Sequence, residues 1–127
     1  MTEPVVRLRV DFASQCCVGP GKIALLEHIE RAGSLSQAAR DLGMSYRRAW
    51  DLLSSLNTSF REPVAVSARG GRGGGGVRVT RFGSELIGLY RTFEEDAQAR
   101  ALRVFKGIAG KACRQARRVP VMRLSDR

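Results

Sequence analysis

Residues 34–53 read SLSQAARDLGMSYRRAWDLL, and this stretch decides the fold. Ser34-Leu35-Ser36-Gln37 has the form of a capping box, in which the Ser34 hydroxyl accepts from the third helical amide and Gln37 reaches back to the cap. The helix it opens is short: Ala38, Ala39 and Leu42 form its apolar face, and Gly43 stops it after two turns. Ser45 is the next N-cap, and a helix from Tyr46 to about Phe60 follows, with Ala49, Leu52, Leu53 and Leu56 turned inward. Ala39 lets two helix backbones approach, Gly43 supplies the turn four residues later, and Met44 plugs the angle between them. A helix-turn-helix needs this spacing, because its second helix must project clear of the first to enter a groove.

Working outward, residues 22–32 carry Ile23, Leu25, Leu26, Ile29 and Ala32 on one stripe and form an amphipathic helix that Gly33 ends. Before it, VVRLRVDF at 5–12 alternates, with Val6, Leu8, Val10 and Phe12 on one face and Arg7, Arg9 and Asp11 on the other, a half-buried strand that the CCVGPG run breaks. After it, Val64-Ala65-Val66 and Val77-Arg78-Val79-Thr80 read as two strands around a tip in which glycine holds six of the seven positions 70–76. From Arg81 the period is helical again. Leu86, Tyr90, Phe93, Ala97, Ala101, Val104 and Ile108 line one long helix over 81–110, a stripe too long for a three-helix domain to cover and therefore a dimerisation surface. Residues 111–127 form a basic, poorly ordered tail. The expected architecture is mainly α with a small antiparallel sheet, a winged helix-turn-helix over 1–80 (helix-turn-helix 34–56, wing 64–80) followed by the dimerisation helix.

Recognition helices touch bases chiefly through their N-terminal residues, so Tyr46, Arg47 and Arg48 are the expected readout set, with one arginine pairing part of the time with Asp51. Trp50 is read as a packing residue rather than a base contact. Ser34, Ser36, Gln37 and Ser45 open the two helices and suit phosphate oxygens, while Arg69 and Arg72 carry the wing toward a neighbouring groove. Gly71 to Gly76 also fits G-x-G-x-x-G, but a strand follows rather than the helix a pyrophosphate needs, so nucleotide binding is excluded.

Composition narrows the classes. At 127 residues the chain has room for one small domain, and 43% apolar with 27% charged residues is ordinary for a soluble protein. No apolar stretch reaches the ~18 residues of a membrane span, so no membrane partner is expected. The net charge of +10 points to a polyanion, nucleic acid first and an anionic membrane second, and with the helix-turn-helix the expected partner is double-stranded DNA. It is unevenly placed: residues 1–62 net +1, residues 63–80 net +3 and residues 101–127 net +7. Cys16, Cys17 and Cys113 lack a metal-ligand spacing and are read as reduced thiols of a cytoplasmic protein. No metal and no cofactor is expected, and no nucleophile–base–acid set assembles around the single histidine, His28, so the chain is not read as an enzyme.

The span from about Lys22 to Tyr90 resembles the N-terminal DNA-binding domain of ModE-type, molybdate-responsive bacterial transcription regulators, and more distantly the LysR-type winged helix. The likeness rests on AGSLSQAARDLGMSYRRAWDLL (32–53) and GGRGGGGVRVTRFGSELIGLY (70–90). It implies a homodimer on a palindromic operator, with DNA contacts at Tyr46, Arg47 and Arg48 and around Arg72. Members of that family continue into a molybdate-binding portion; this chain stops at Arg127, so molybdate binding by it is not expected. Two other functions compete with a sequence-specific regulator. One is a nonspecific architectural nucleic-acid binder driven by the basic tail. The other is a protein-interaction adaptor that has lost DNA binding.

Overall fold

The computed structural model describes residues 3–68 and 76–113. Helix α1 (Pro20–Ala32) starts with proline in its first turn, where a missing N–H costs nothing, and ends at Gly33 with φ 68°. It buries Ile23, Leu25, Leu26 and Ile29 completely. Helix α2 (Leu35–Asp41) is capped by the Ser34 hydroxyl, which accepts from the Gln37 amide at 3.2 Å. Gly43 takes φ 66°, the left-handed conformation that lets the chain reverse, and the Met44 amide closes the turn on the Ala39 carbonyl at 3.0 Å. Helix α3 (Tyr46–Ser59) then starts under the Ser45 cap, whose hydroxyl accepts from the Arg48 amide at 3.1 Å. Ala38, Ala39, Ala49, Leu53 and Leu56 are buried between these helices, with Leu42, Met44 and Leu52 packed at the margin.

Strands β3 (Ala65–Ala68) and β4 (Gly76–Val79) pair antiparallel, with Ala65 opposite Val79 and Ala68 opposite Gly76. The first of them begins one residue later than the alternation at 64–66 predicts. The ribbon is held toward its outer end, because the Val77 amide, next to the Ala68–Gly76 pair, donates to the Gly33 carbonyl at the end of α1. Helix α4 (Arg81–Val104) follows at once under a Thr80 cap, whose hydroxyl accepts from the Gly83 amide and donates to the Pro63 carbonyl. The fold is mostly helical with small antiparallel ribbons, a winged helix-turn-helix with a long C-terminal helix.

The N-terminus departs from expectation. Only Val10–Ala13 is a strand (β1), and it pairs with a three-residue strand, Cys16–Val18 (β2), inside the run read as a break. Gln15, at φ 65°, makes the reversal. Residues 4–8 do alternate between half-buried and exposed, but their partner is a helix. Gln98 on α4 accepts from the Val6 amide and donates to the Pro4 carbonyl, each at 2.7 Å, and the Tyr90 hydroxyl donates to the Leu8 carbonyl at 2.7 Å. Phe12, expected on the inward face, is exposed and meets Phe60 edge-on at 5.6 Å; Phe60 in turn meets Phe82 at 5.3 Å.

Helix α4 is also shorter than 81–110. It ends at Val104, and a single 3-10 turn, Ala109–Lys111, lies beyond. Of its expected stripe, Leu86, Tyr90 and Ala101 are buried, Ala97 is half-buried, and Phe93, Val104 and Ile108 are exposed. Its first half leans on α1 through Arg91, which donates to both Glu27 oxygens (2.6 and 3.1 Å) and to Glu94 (2.7 Å). The Arg91 hydrogen bonds hold the Glu27 carboxyl below its ordinary value of 4.5 against the opposing pull of burial. A carboxylate with a lowered pKa stabilises the fold above its unfolded pKa, and that contribution fades as pH falls through the lowered value. Both partners are about one-third exposed, so the pair contributes on the order of 1 kcal/mol or less. Glu27→Gln is therefore expected to lower the thermal midpoint by a few degrees at pH 7. Melting curves recorded down to pH 3 should show the two proteins converging; a gap that stays constant with pH would contradict this account.

Candidate nucleic-acid interface

The N-terminal turns of α3 stand away from the core because Ala49, Leu53 and Leu56 hold its opposite face. Tyr46, Arg47, Arg48 and Asp51 are all exposed, Tyr46 at 55%. Arg47 Nε lies 3.5 Å from Asp51 Oδ1, the i,i+4 pairing expected for one of the two arginines. Trp50 does not pack into the core. It is 52% exposed and shares with Tyr46 and Arg47 a cleft on the outer surface of the helix. The periodic stripe of Ala49, Leu52, Leu53 and Leu56 leaves Trp50 out, and it is the residue type, a large aromatic, that suggests packing.

The helix N-termini are built as expected in part. Ser34 and Ser45 both cap, but Gln37 does not reach back to its cap. Its amide nitrogen donates to Asp41 Oδ1 at 2.8 Å, one turn along, while Arg40 donates to its oxygen at 2.9 Å. A capping box needs the Gln37 oxygen to accept from the Ser34 amide, but that oxygen is taken by the charged Arg40 guanidinium, a stronger donor than a backbone N–H. Ser36 is exposed on the first turn of α2. Gly33 joins this end of α2 to the second wing strand, since its carbonyl accepts from Val77. The Ser34 cap follows directly on that junction. Arg69 and Arg72, expected at the wing tip, lie outside the described residues, as does the basic tail beyond residue 113. Arg78, on β4, is exposed.

Two polar side chains that position these elements escaped the sequence reading. Asn57, near the end of α3, accepts from the amides of Val64 (2.8 Å) and Ala65 (3.2 Å) and donates to the Ala65 carbonyl (3.1 Å). It thereby fixes the first wing strand to the exposed helix. Lys22 on α1 donates to the Cys17 carbonyl (3.0 Å) and to Ser55 Oγ (3.1 Å), tying α1, β2 and α3 together. A polar residue in a helix's last turns is the only local signal for Asn57; for Lys22 there is none.

His28 stands 3.7 Å from Asp41, a carboxylate already engaged by Gln37. Cys16, Cys17 and Cys113 are free thiols, and Cys16 donates to the Ser59 carbonyl. Among the described residues no three His, Cys, Asp or Glu side chains gather as metal ligands, and no helix is long and apolar enough to cross a membrane.

Comparison with known proteins meets this geometry at the same residues. Residues 21–84 match the family of bacterial regulatory helix-turn-helix proteins of the lysR type. Over 85 residues, 67% of this chain, the sequence is 48% identical to the transcriptional regulator ModE of Yersinia pestis, covering 32% of that protein. Over 85 residues it is 46% identical to the DNA-binding transcriptional dual regulator ModE of Escherichia coli K12, again 67% of this chain and 32% of the relative. Over 103 residues, 81% of this chain, it is 44% identical to the molybdenum-pterin-binding protein MopA of Rhodobacter capsulatus, covering 38% of it. The chain spans about a third of the length of these relatives. With the capped helix pair at 34–59, the ribbon after it and the match over 21–84 in agreement, the chain belongs to the lysR-type family of bacterial regulatory helix-turn-helix proteins, and its helix-turn-helix is of the ModE type.

Proposed function

We propose that this chain is a sequence-specific, DNA-binding transcription regulator that acts as a homodimer in the bacterial cytoplasm. The observation that carries this reading is the exposed N-terminal half of α3, where Tyr46, Arg47 and Arg48 project from a helix held rigidly by its Ser45 cap and buried stripe. In this reading Arg47 and Arg48 contact base edges, and Ser34, Ser36, Gln37 and Ser45 take the phosphates beside them. The wing follows the neighbouring groove through Arg69 and Arg72. Residues 1–80 are the DNA-binding unit, and α4 (Arg81–Val104) with the residues that follow it to 110 is the dimerisation segment. Support for the dimer comes from the apolar side chains left exposed along α4, Leu89, Phe93, Leu102 and Val104, continuing to Phe105 and Ile108. A C2 dimer presents two copies of α3 roughly 34 Å apart and reads a palindrome.

Footprinting on DNA selected from random duplexes tests the assignment. An arginine fork on a guanine is worth ~1–3 kcal/mol of discrimination. Arg47→Ala and Arg48→Ala are therefore each expected to reduce the preference for selected over scrambled duplex by about five-fold or more. Unchanged discrimination in both variants would refute the assigned readout.

A further inference from the structure

We propose that Trp50 is a specificity-determining residue that reads thymine, its indole covering C5-methyl groups in the major groove beside the bases taken by Arg47. The inference rests on the DNA-binding function proposed above and adds a base contact at a residue that reads as a packing residue from the sequence alone. Its starting point is an apolar surface out of place. Trp50 and Tyr46 lie one helical turn apart on α3, 52% and 55% exposed, and flank a cleft with the Arg47 side chain. The core side of the helix is already filled by Ala49, Leu53 and Leu56, and Trp50 belongs neither to that cluster nor to the residues packed against it.

The surroundings select the occupant. Arg47 is 86% exposed beside this cleft and held by Asp51 at 3.5 Å, and Arg48 is exposed on the same first turn. A cationic rim around a flat apolar patch suits a polyanion that carries apolar groups. Duplex DNA offers one such group on its major-groove base edges, the thymine methyl. The patch also sits on the N-terminal half of the second helix of the pair, the part that approaches base edges when such a helix enters the groove. A protein partner is the competing occupant, and the experiment below separates the two.

Trp50 is the chain's single tryptophan, so its fluorescence reports this contact alone. The full chain is used to select a preferred duplex from a random pool. Dissociation constants are then measured on that duplex and on copies with deoxyuridine replacing thymine, which removes only the methyl. The wild type is expected to weaken by about four-fold for each methyl that Trp50 covers. Trp50→Ala should bind thymine and deoxyuridine copies equally, and Trp50→Phe should keep part of the difference. Because the side chain is exposed, both variants should melt with the wild type. Acrylamide should quench the free protein readily and the complex several-fold less. A wild type indifferent to deoxyuridine, a Trp50→Ala variant that keeps the wild-type ratio, or quenching unchanged by DNA would each overturn the proposal while leaving DNA binding intact. A chain that enriches no duplex and binds none would overturn the DNA-binding function, and this contact with it.

Discussion

Gly83→Ala is expected to destabilise the fold by about 3 kcal/mol, although the same change in an open helix is favourable. Gly83 lies in the first turn of α4, where the helix leans against the start of the wing. A Cβ there would overlap the Val64 carbonyl oxygen and come within 2.7 Å of Val79 Cγ1. The first obstacle is backbone, and it cannot step aside, because the same carbonyl accepts from the Thr80 amide at 2.9 Å. Thr80 is the helix cap and also donates to Pro63, so moving α4 away breaks the cap and the junction together. Against this, alanine offers ~1 kcal/mol of helix propensity, too little to reverse the sign. Gly88 is the control. It lies in the same helix, exposed, with nothing within 4 Å of its would-be Cβ. Gly88→Ala is expected to raise the thermal midpoint by a few degrees while Gly83→Ala lowers it by 10 °C or more. Equal effects at the two positions would show that the close approach of α4 to Val64 is not the constraint.

That pair of glycines also marks what can be read from one sequence. The helix-turn-helix was legible because its determinants are local: two serine caps, the apolar spacing, and Ala39 and Gly43 at fixed offsets. The departures come from partners distant in the chain. Alternation at 5–10 is real, but Gln98 and Tyr90 satisfy its backbone rather than a neighbouring strand, and no local pattern announces a helix side chain ninety residues away. Strand β2 is three residues long and hidden by the Gly-Pro-Gly that follows, too short for a period to show. At the site, the arginines and caps were visible as residue types in position, whereas a tryptophan's residue type suggests packing and does not show that Trp50 stands outside the core cluster. The long helix was legible in its period and overextended in its length, since Gly107 and Gly110 interrupt it only after Phe105 has already left the helix.

Asn57→Ala should separate the wing from the helix that presents the readout residues. Thr80 ties β4 to Val64 across the ribbon, so the Ala65 amide and carbonyl turn away from β4 and toward α3, where Asn57 meets both. Ala65 and Val64 are buried at 3% and 0% exposure, so water does not replace the lost partner. Each buried polar group left unmade costs ~1–3 kcal/mol, and with three involved and some relaxation the expected loss is about 3 kcal/mol. Asn57→Asp distinguishes the roles of the two ends of the amide. It keeps an acceptor for the Val64 and Ala65 amides but sets an oxygen against the Ala65 carbonyl, so it is expected to recover only part of the stability. Thermal melts give the global loss. Amide exchange gives its location: protection at residues 64–66 should fall in Asn57→Ala well beyond the fall within α1. In the regulator reading, a wing free of α3 no longer fixes its groove relative to the recognition helix, so affinity should drop even at temperatures where the variant is fully folded. A variant with wild-type protection across 64–66 would mean that the ribbon holds itself in place and that Asn57 is dispensable.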